Sequence, residues 1–195
     1  MENNKEATGN KETITEIAIK LFAEKGYDAV GVQQICEKAE ITKPTLYYYF
    51  KSKQGLLEHI AEVKGQELYS KIEAALEYKH DFINSLTQVL NAEVMFAKEN
   101  PDFYNLHCVL LSSPDGSEQR TVYLSLINKI ESKYQEFFAL SCNEFGNMKE
   151  KEVLYSTIFH NTVVATASMV IRNKLEFNDK LAYQIIHSTV YGLAN

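Results

Sequence analysis

An all-α chain is predicted by three observations. Only three prolines and eight glycines interrupt 195 residues, apolar side chains recur three and four positions apart instead of alternating, and the connections between apolar runs are short. No stretch reads as a strand. With 45% hydrophobic and 24% charged residues, the chain can bury one sizeable core, or a small domain beside a larger one, and disordered or fibrous classes are disfavoured.

Residues 1–10 are polar and are expected to form a flexible, frayed segment, with the first helix beginning at Asn10 or at a Thr13-x-x-Glu16 capping box. Ile14, Ile17, Ala18, Leu21 and Phe22 form its apolar stripe, and Gly26 supplies the left-handed residue that ends it after Lys25. A second helix over about 33–38 turns Ile35 and Cys36 inward. A third, over about 43–49, has Thr42 as cap and Pro44 in its first turn, where a missing amide costs nothing. Leu46, Phe50 and Tyr47 are expected to close a three-helix core. Ser52 caps a long fourth helix over about 53–78, with Leu56, Leu57, Ile60, Val63, Leu68, Ile72 and Leu76 on one face. Further helices are predicted at about 81–99, 101–112, 118–142, 148–173 and 179–194, separated by Asn100-Pro101, Ser113-Pro114-Asp115-Gly116, Glu144-Phe145-Gly146-Asn147 and Phe177-Asn178.

The functional signal lies in residues 31–58, two short helices around a tight turn with lysines and three consecutive tyrosines on the second. Such a helix-turn-helix enters a DNA major groove, although short helix pairs also occur as plain structure. The net charge of −6 argues against indiscriminate nucleic-acid binding, yet Lys43, Lys51 and Lys53 face only Glu40 between Ala39 and Lys53, so a basic patch sits inside an acidic chain.

The stretch Leu21-Phe22-Ala23-Glu24-Lys25-Gly26-Tyr27, then Ile35, Ala39 and Lys43-Pro44-Thr45-Leu46-Tyr47-Tyr48-Tyr49-Phe50-Lys51-Ser52-Lys53, resembles the amino-terminal signature of the TetR family of transcriptional regulators. The resemblance covers about residues 11–60. It implies a helix-turn-helix domain over 11–58, followed over 59–195 by a helical body for ligand binding and dimerisation. On the matching positions, Thr42, Lys43, Pro44, Thr45, Tyr47, Tyr49 and Lys53 are implied to face DNA. Thr42 to Thr45 would meet base edges, while Tyr47, Tyr49 and Lys53 would reach phosphates. Gln33 and Gln34 either add contacts or form a solvated face. Two departures stand out. Glu40 occupies the turn where the family has glycine, at a conformational cost and close to phosphates. Gln54-Gly55 replaces the family's acid, so the Ser52 cap lacks its reciprocal partner and the fourth helix is expected to start loosely.

In the body, aromatic residues far exceed what the first fifty residues need. Most read as ordinary bundle core. The resemblance implies a ligand cavity, for which Phe103, His107, Tyr123, Phe159 and His160 are the candidate lining residues. The last two helices carry more apolar surface than one core-facing stripe requires, from Ile158, Val163, Val164, Ala167, Met169, Val170 and Ile171 to Leu181, Ile185, Ile186, Thr189, Val190 and Leu193. A homodimer through a four-helix bundle accounts for the excess and is what the resemblance implies.

Other classes fit less well. No Gly-rich phosphate cradle and no Ser-His-Asp order stands out, so no enzyme is predicted. His107 beside Cys108 points in a different direction and has no second ligand pair, so neither metal nor cofactor is expected. Cys36, Cys108 and Cys142 are an odd, scattered set suited to a reducing compartment. No signal-peptide core opens the chain and no uninterrupted apolar run reaches about 18 residues, so a cytoplasmic protein without a membrane partner is expected. The expected partners are a palindromic DNA operator, a second copy of the chain and a small-molecule effector. The alternative is a helical protein-binding adaptor without DNA specificity.

Overall fold

The computed structural model describes residues 2–142 and 149–191. Its helices are α1 (Glu2–Lys25), α2 (Val32–Lys38), α3 (Lys43–Phe50), α4 (Lys53–Ile60), α5 (Gln66–Ala75), α6 (Phe82–Glu99), α7 (Pro101–Leu111), α8 (Glu118–Ser141), α9 (Glu152–Ile171) and α10 (Asp179–Tyr191). There is no strand among the described residues. The helix predicted over 53–78 is present as α4 and α5 with one wider π turn, Ala61–Gly65, between them. The loop expected at Glu144-Phe145-Gly146-Asn147 and the apolar Leu193 lie outside the described residues.

α1 corrects the expected start at Asn10 or Thr13. It begins at Glu2, because a helix once nucleated propagates through Glu, Lys and Ala, and a single Gly9 costs only about 1 kcal/mol. Thr13 is therefore an interior residue and not a cap. The end of α1 is as predicted: Gly26 has φ 82 and its amide donates to the Phe22 carbonyl at 3.0 Å.

The chain divides into two compact units, Met1–Gln66 with Asp102–Ser125, and Glu67–Pro101 with Leu126–Asn195. In the first, Ile14, Ala18, Leu21, Phe22, Ile35, Leu46, Phe50, Leu56, Leu57 and Ile60 are buried, as are Phe103, Tyr104, Leu106 and Leu110 of α7. Tyr47 does not close this core: it is 43% exposed, because Leu46 and Phe50, one turn apart, already take the inward face of α3. In the second unit α6 packs most extensively on α9 and also on α10. Its interior is aromatic, with Phe82 stacked on Phe137 at 5.6 Å and Phe138 edge-on to Phe82 at 5.5 Å. Asp81 caps α6 by accepting from the Asn84 amide at 3.0 Å.

One described helix, α9, is long and apolar enough to cross a membrane by length and composition, and 39% of that window is buried inside the protein. Its apolar residues are interrupted by Ser156, Thr157, His160, Asn161 and Thr162, side chains that hydrocarbon would leave poorly solvated.

Candidate nucleic-acid interface

The first turn of α3 is built by its own sequence. Thr42 has extended backbone (φ −90, ψ 155) and its Oγ1 accepts from the Thr45 amide at 3.4 Å, with Thr45 Oγ1 at 2.9 Å. Pro44 occupies an early position that needs no amide. Thr42, Lys43 and Pro44 are exposed and Thr45 is half-buried. Anchoring by Leu46 and Phe50 leaves Tyr47 and Tyr48 outward, Tyr48 at 75% exposure, while Tyr49 is half-buried and edge-on to Tyr48 at 5.2 Å. Tyr48 was not among the predicted site residues, although it is the most exposed aromatic of α3; the signal was its place one turn beyond Pro44. Gln33, on α2, donates to Glu37 of its own helix at 2.8 Å and so is engaged along the helix surface.

The turn before α3 carries the expected strain. Glu40 is exposed with φ 54, a left-handed conformation unfavourable for a side chain with a Cβ. The elbow after α3 is Lys51 (φ 67) and Ser52, whose Oγ accepts from the Gly55 amide at 2.9 Å. This corrects the expectation of a loose start to α4. Gly55 replaces the acid because a Cβ there would stand 2.0 Å from the Phe50 carbonyl oxygen, so the two helices approach too closely for any other residue.

Lys53 is half-buried. Its ammonium donates to the Tyr27 carbonyl at 3.0 Å and the Val30 carbonyl at 3.2 Å, and lies 4.0 Å from the centre of the Tyr27 ring. It pins the α1–α2 corner to α4, a structural task that sequence reasoning did not foresee, because the partners are backbone atoms more than twenty positions away. Cys36 is buried, and burial pushes its thiol up despite Lys43 nearby, which makes it a poor nucleophile.

The five candidate lining residues fall into two clusters, three in the first unit and two in the second. In the first, His107 Nδ1 is 2.8 Å from the Tyr123 hydroxyl, and the Phe103 ring lies 6.4 Å from the imidazole. In the second, His160 stacks on Tyr134 at 4.5 Å, with Phe159 at 6.2 Å from the same ring. The Tyr134 hydroxyl donates to the fully buried Glu93 carboxylate at 3.3 Å. Burial lowers the His160 imidazole to about 4, and its Nε2 has no hydrogen-bond partner among the described residues. Glu93 was missed, yet it is legible: four positions after Val89, it falls on the apolar stripe of α6. All five candidates are buried, and none borders the groove of about 420 Å³ between α6 and α10 or the hollow of about 670 Å³ at the end of α9.

On α9, Leu154, Ile158 and Met169 are exposed, and on α10 Tyr183 and Tyr191. Val163, Ala167, Val170 and Ile186, from the predicted apolar excess, are buried within the unit.

Residues 14–60 match the family of bacterial regulatory proteins, tetR family. The amino-terminal domain belongs to the TetR family. The chain is 30% identical over 98 residues to YvdT, an HTH-type transcriptional regulator of Bacillus subtilis, a match covering 50% of each chain; it thus spans about half the length of that relative, and less of others. Over nearly its full length it resembles solved structures. One is the TetR family transcriptional regulator PfmR from Thermus thermophilus, 26% identical with a TM-score of 0.70 over 93% of this chain and 96% of that one. Another is FadR from Bacillus subtilis in complex with stearoyl-CoA, 18% identical with a TM-score of 0.75 over 93% and 98%. The TetR-type helix-turn-helix is thus followed by a helical carboxy-terminal domain, as in those structures.

Proposed function

We propose that the chain is a ligand-responsive repressor that binds a palindromic operator as a homodimer, with residues 11–58 reading DNA and 59–195 providing effector binding and dimerisation. The observation that carries this reading is the exposed start of α3. Thr42, Lys43 and Pro44 stand clear of the protein beside Thr45, as a helix entering a major groove requires. Tyr47 and Tyr49 are proposed to reach phosphates, and Lys53 to reach one with the proton not given to the Tyr27 and Val30 carbonyls. Leu154, Ile158, Met169, Tyr183 and Tyr191 support dimerisation through α9 and α10, because a monomer would leave these apolar surfaces in water. A dimer seated on its operator blocks transcription by occupancy alone.

The effector is proposed to be a small, largely apolar molecule held by one of the two clusters, Phe103, His107 and Tyr123 in the first unit or Phe159 and His160 in the second. FadR, similar in fold, holds stearoyl-CoA, and aromatic linings of this kind suit apolar ligands. Effector would favour a dimer with its recognition helices at the wrong separation, and a preference of about 1.4 kcal/mol changes DNA affinity tenfold. The test is selection of bound sequences from a random duplex pool with the purified protein. A palindromic consensus is expected; no enrichment, with or without a small-molecule library present, overturns the reading.

A further inference from the structure

The α1–α2 corner is held from two sides, and one of them lies far outside the DNA-binding motif. On the first side is Lys53, with its ammonium on the Tyr27 and Val30 carbonyls. On the second, within the same compact unit, is the first turn of α8. The Tyr27 hydroxyl donates to the Glu118 carboxylate, and Gln119 Nε2 donates to Asp28 Oδ2 at 3.0 Å. Tyr27 is 3% exposed and Gln119 7%, while Asp28 and Glu118 are exposed, so each bond runs from a buried donor to a carboxylate at the surface, a charge-assisted pairing. Burial, reinforced by Glu118, pushes the Tyr27 phenol well above the usual tyrosine range, so it remains a donor at any physiological pH. Glu118 is also well placed at the positive end of α8.

The mount is itself braced. Ser117 Oγ accepts from the Arg120 amide at 3.3 Å, Arg120 Nη1 donates to the Leu111 carbonyl at 2.9 Å, and its Nε lies 3.6 Å from Asp115. What the corner controls is α2. That helix has seven residues, and its cap is Gly31, which offers no side-chain hydrogen bond. A short helix with no cap of its own takes its placement from the segment that leads into it. α2 in turn supports α3.

We propose that Glu118 and Gln119 are positioning residues for DNA recognition: through Tyr27 and Asp28 they fix the α1–α2 corner, and so hold α2 and the start of α3 in the arrangement that reads bases. The inference rests on the reading of the chain as an operator-binding protein. Its content is that specificity depends on a contact made outside residues 14–60.

The experiment compares full-length wild type with Tyr27→Phe, Glu118→Ala, Glu118→Gln, Gln119→Ala and the double variant Tyr27→Phe/Glu118→Ala. Binding is measured by fluorescence anisotropy on the selected operator and on a scrambled duplex. Tyr27→Phe keeps the ring beneath Lys53 and removes only the tether. Operator affinity is expected to fall about three- to tenfold in Tyr27→Phe and Glu118→Ala, the range set by losing one charge-assisted hydrogen bond. Scrambled-duplex affinity should stay unchanged, because phosphate contacts carry non-specific binding. Glu118→Gln, which keeps an acceptor oxygen, should recover most of the loss, and the double variant should be no worse than either single one. Equal operator affinity in all variants, or parallel losses on both duplexes, overturns the proposal. Absence of any operator preference in the wild type instead overturns the functional reading on which it rests.

Discussion

On α3, Thr42, Lys43 and Pro44 are exposed while Leu46 and Phe50 hold the helix down. In the second unit the polar groups are inverted: Glu93, Tyr134 and His160 lie inside, with the Phe159 ring beside Tyr134, and the exposed side chains on α9 include Val153, Leu154 and Ile158. The difference separates two ways of writing chemistry into a helix. On α3 the cap, the anchors and the exposed side chains are neighbours in sequence, so its first turn is set by a few local residues. In the second unit the buried polar groups come from different helices, and their properties arise from what surrounds them.

If that contrast holds, the largest single effect is expected in the aromatic interior. Phe137→Ala should destabilise the chain by about 4 kcal/mol, read by denaturant unfolding, because it removes a stacked ring from a site that can collapse only partly. A loss below about 1 kcal/mol would mean that the body is loosely packed.

Next is His160. Its folded-state value of about 4 lies below the ordinary 6.5, so the unfolded chain takes up this proton first as pH falls. The contribution of the neutral imidazole is fully present above pH 6.5, declines between 6.5 and about 4, and is gone below. It amounts to about 3 kcal/mol at most. His160→Phe should flatten unfolding stability across that window, and an unchanged pH profile would place the imidazole in contact with water.

Lys43→Ala should cost about 2 kcal/mol of operator affinity and relax base preference at one position of the selected consensus. An intact consensus would take Lys43 out of base readout. Lys53→Ala is expected to combine the two modes. It should lower stability by about 1 kcal/mol, since two carbonyls lose their donor, and reduce the salt dependence of DNA binding by about one phosphate. A stability loss with an unchanged salt slope would confine Lys53 to its structural role. Smallest is Glu40→Gly, which relieves a left-handed residue and should raise stability by up to about 1 kcal/mol. Removing the acid should also tighten binding to all duplexes alike; weaker binding would show that Glu40 orients the turn.

Much of the fold is legible in the sequence alone. The bounds of α6, α7, α8 and α10 are close to those expected, because Asn100-Pro101, Ser113-Pro114-Asp115-Gly116 and Phe177-Asn178 stop helices by local chemistry. α1 starts earlier than its sequence suggests, because propagation through Glu, Lys and Ala outweighs a Gly-Asn pair. The candidate site divides the same way. The exposed start of α3 follows from its cap and its two anchors. The task of Lys53, the reason for Gly55 and the pairing of Tyr27 with Glu118, 91 positions apart, depend on which segments approach each other, and no single-helix pattern encodes that.

The elbow between α3 and α4 has a mechanical consequence. Two residues, one of them the left-handed Lys51, join the helices, and Gly55 sits against the Phe50 carbonyl. There is no slack at that joint, so α3 and α4 swing as one crank. With a rise of 1.5 Å per residue, the eight residues of α3 form an arm about 12 Å long, and a swing of about 10° moves its Thr42 end by about 2 Å. On the proposed reading of α3 as the base-contacting helix, that is more than a hydrogen bond to a base edge tolerates, so a tilt too slight to notice at α4 would be enough to unseat the tip.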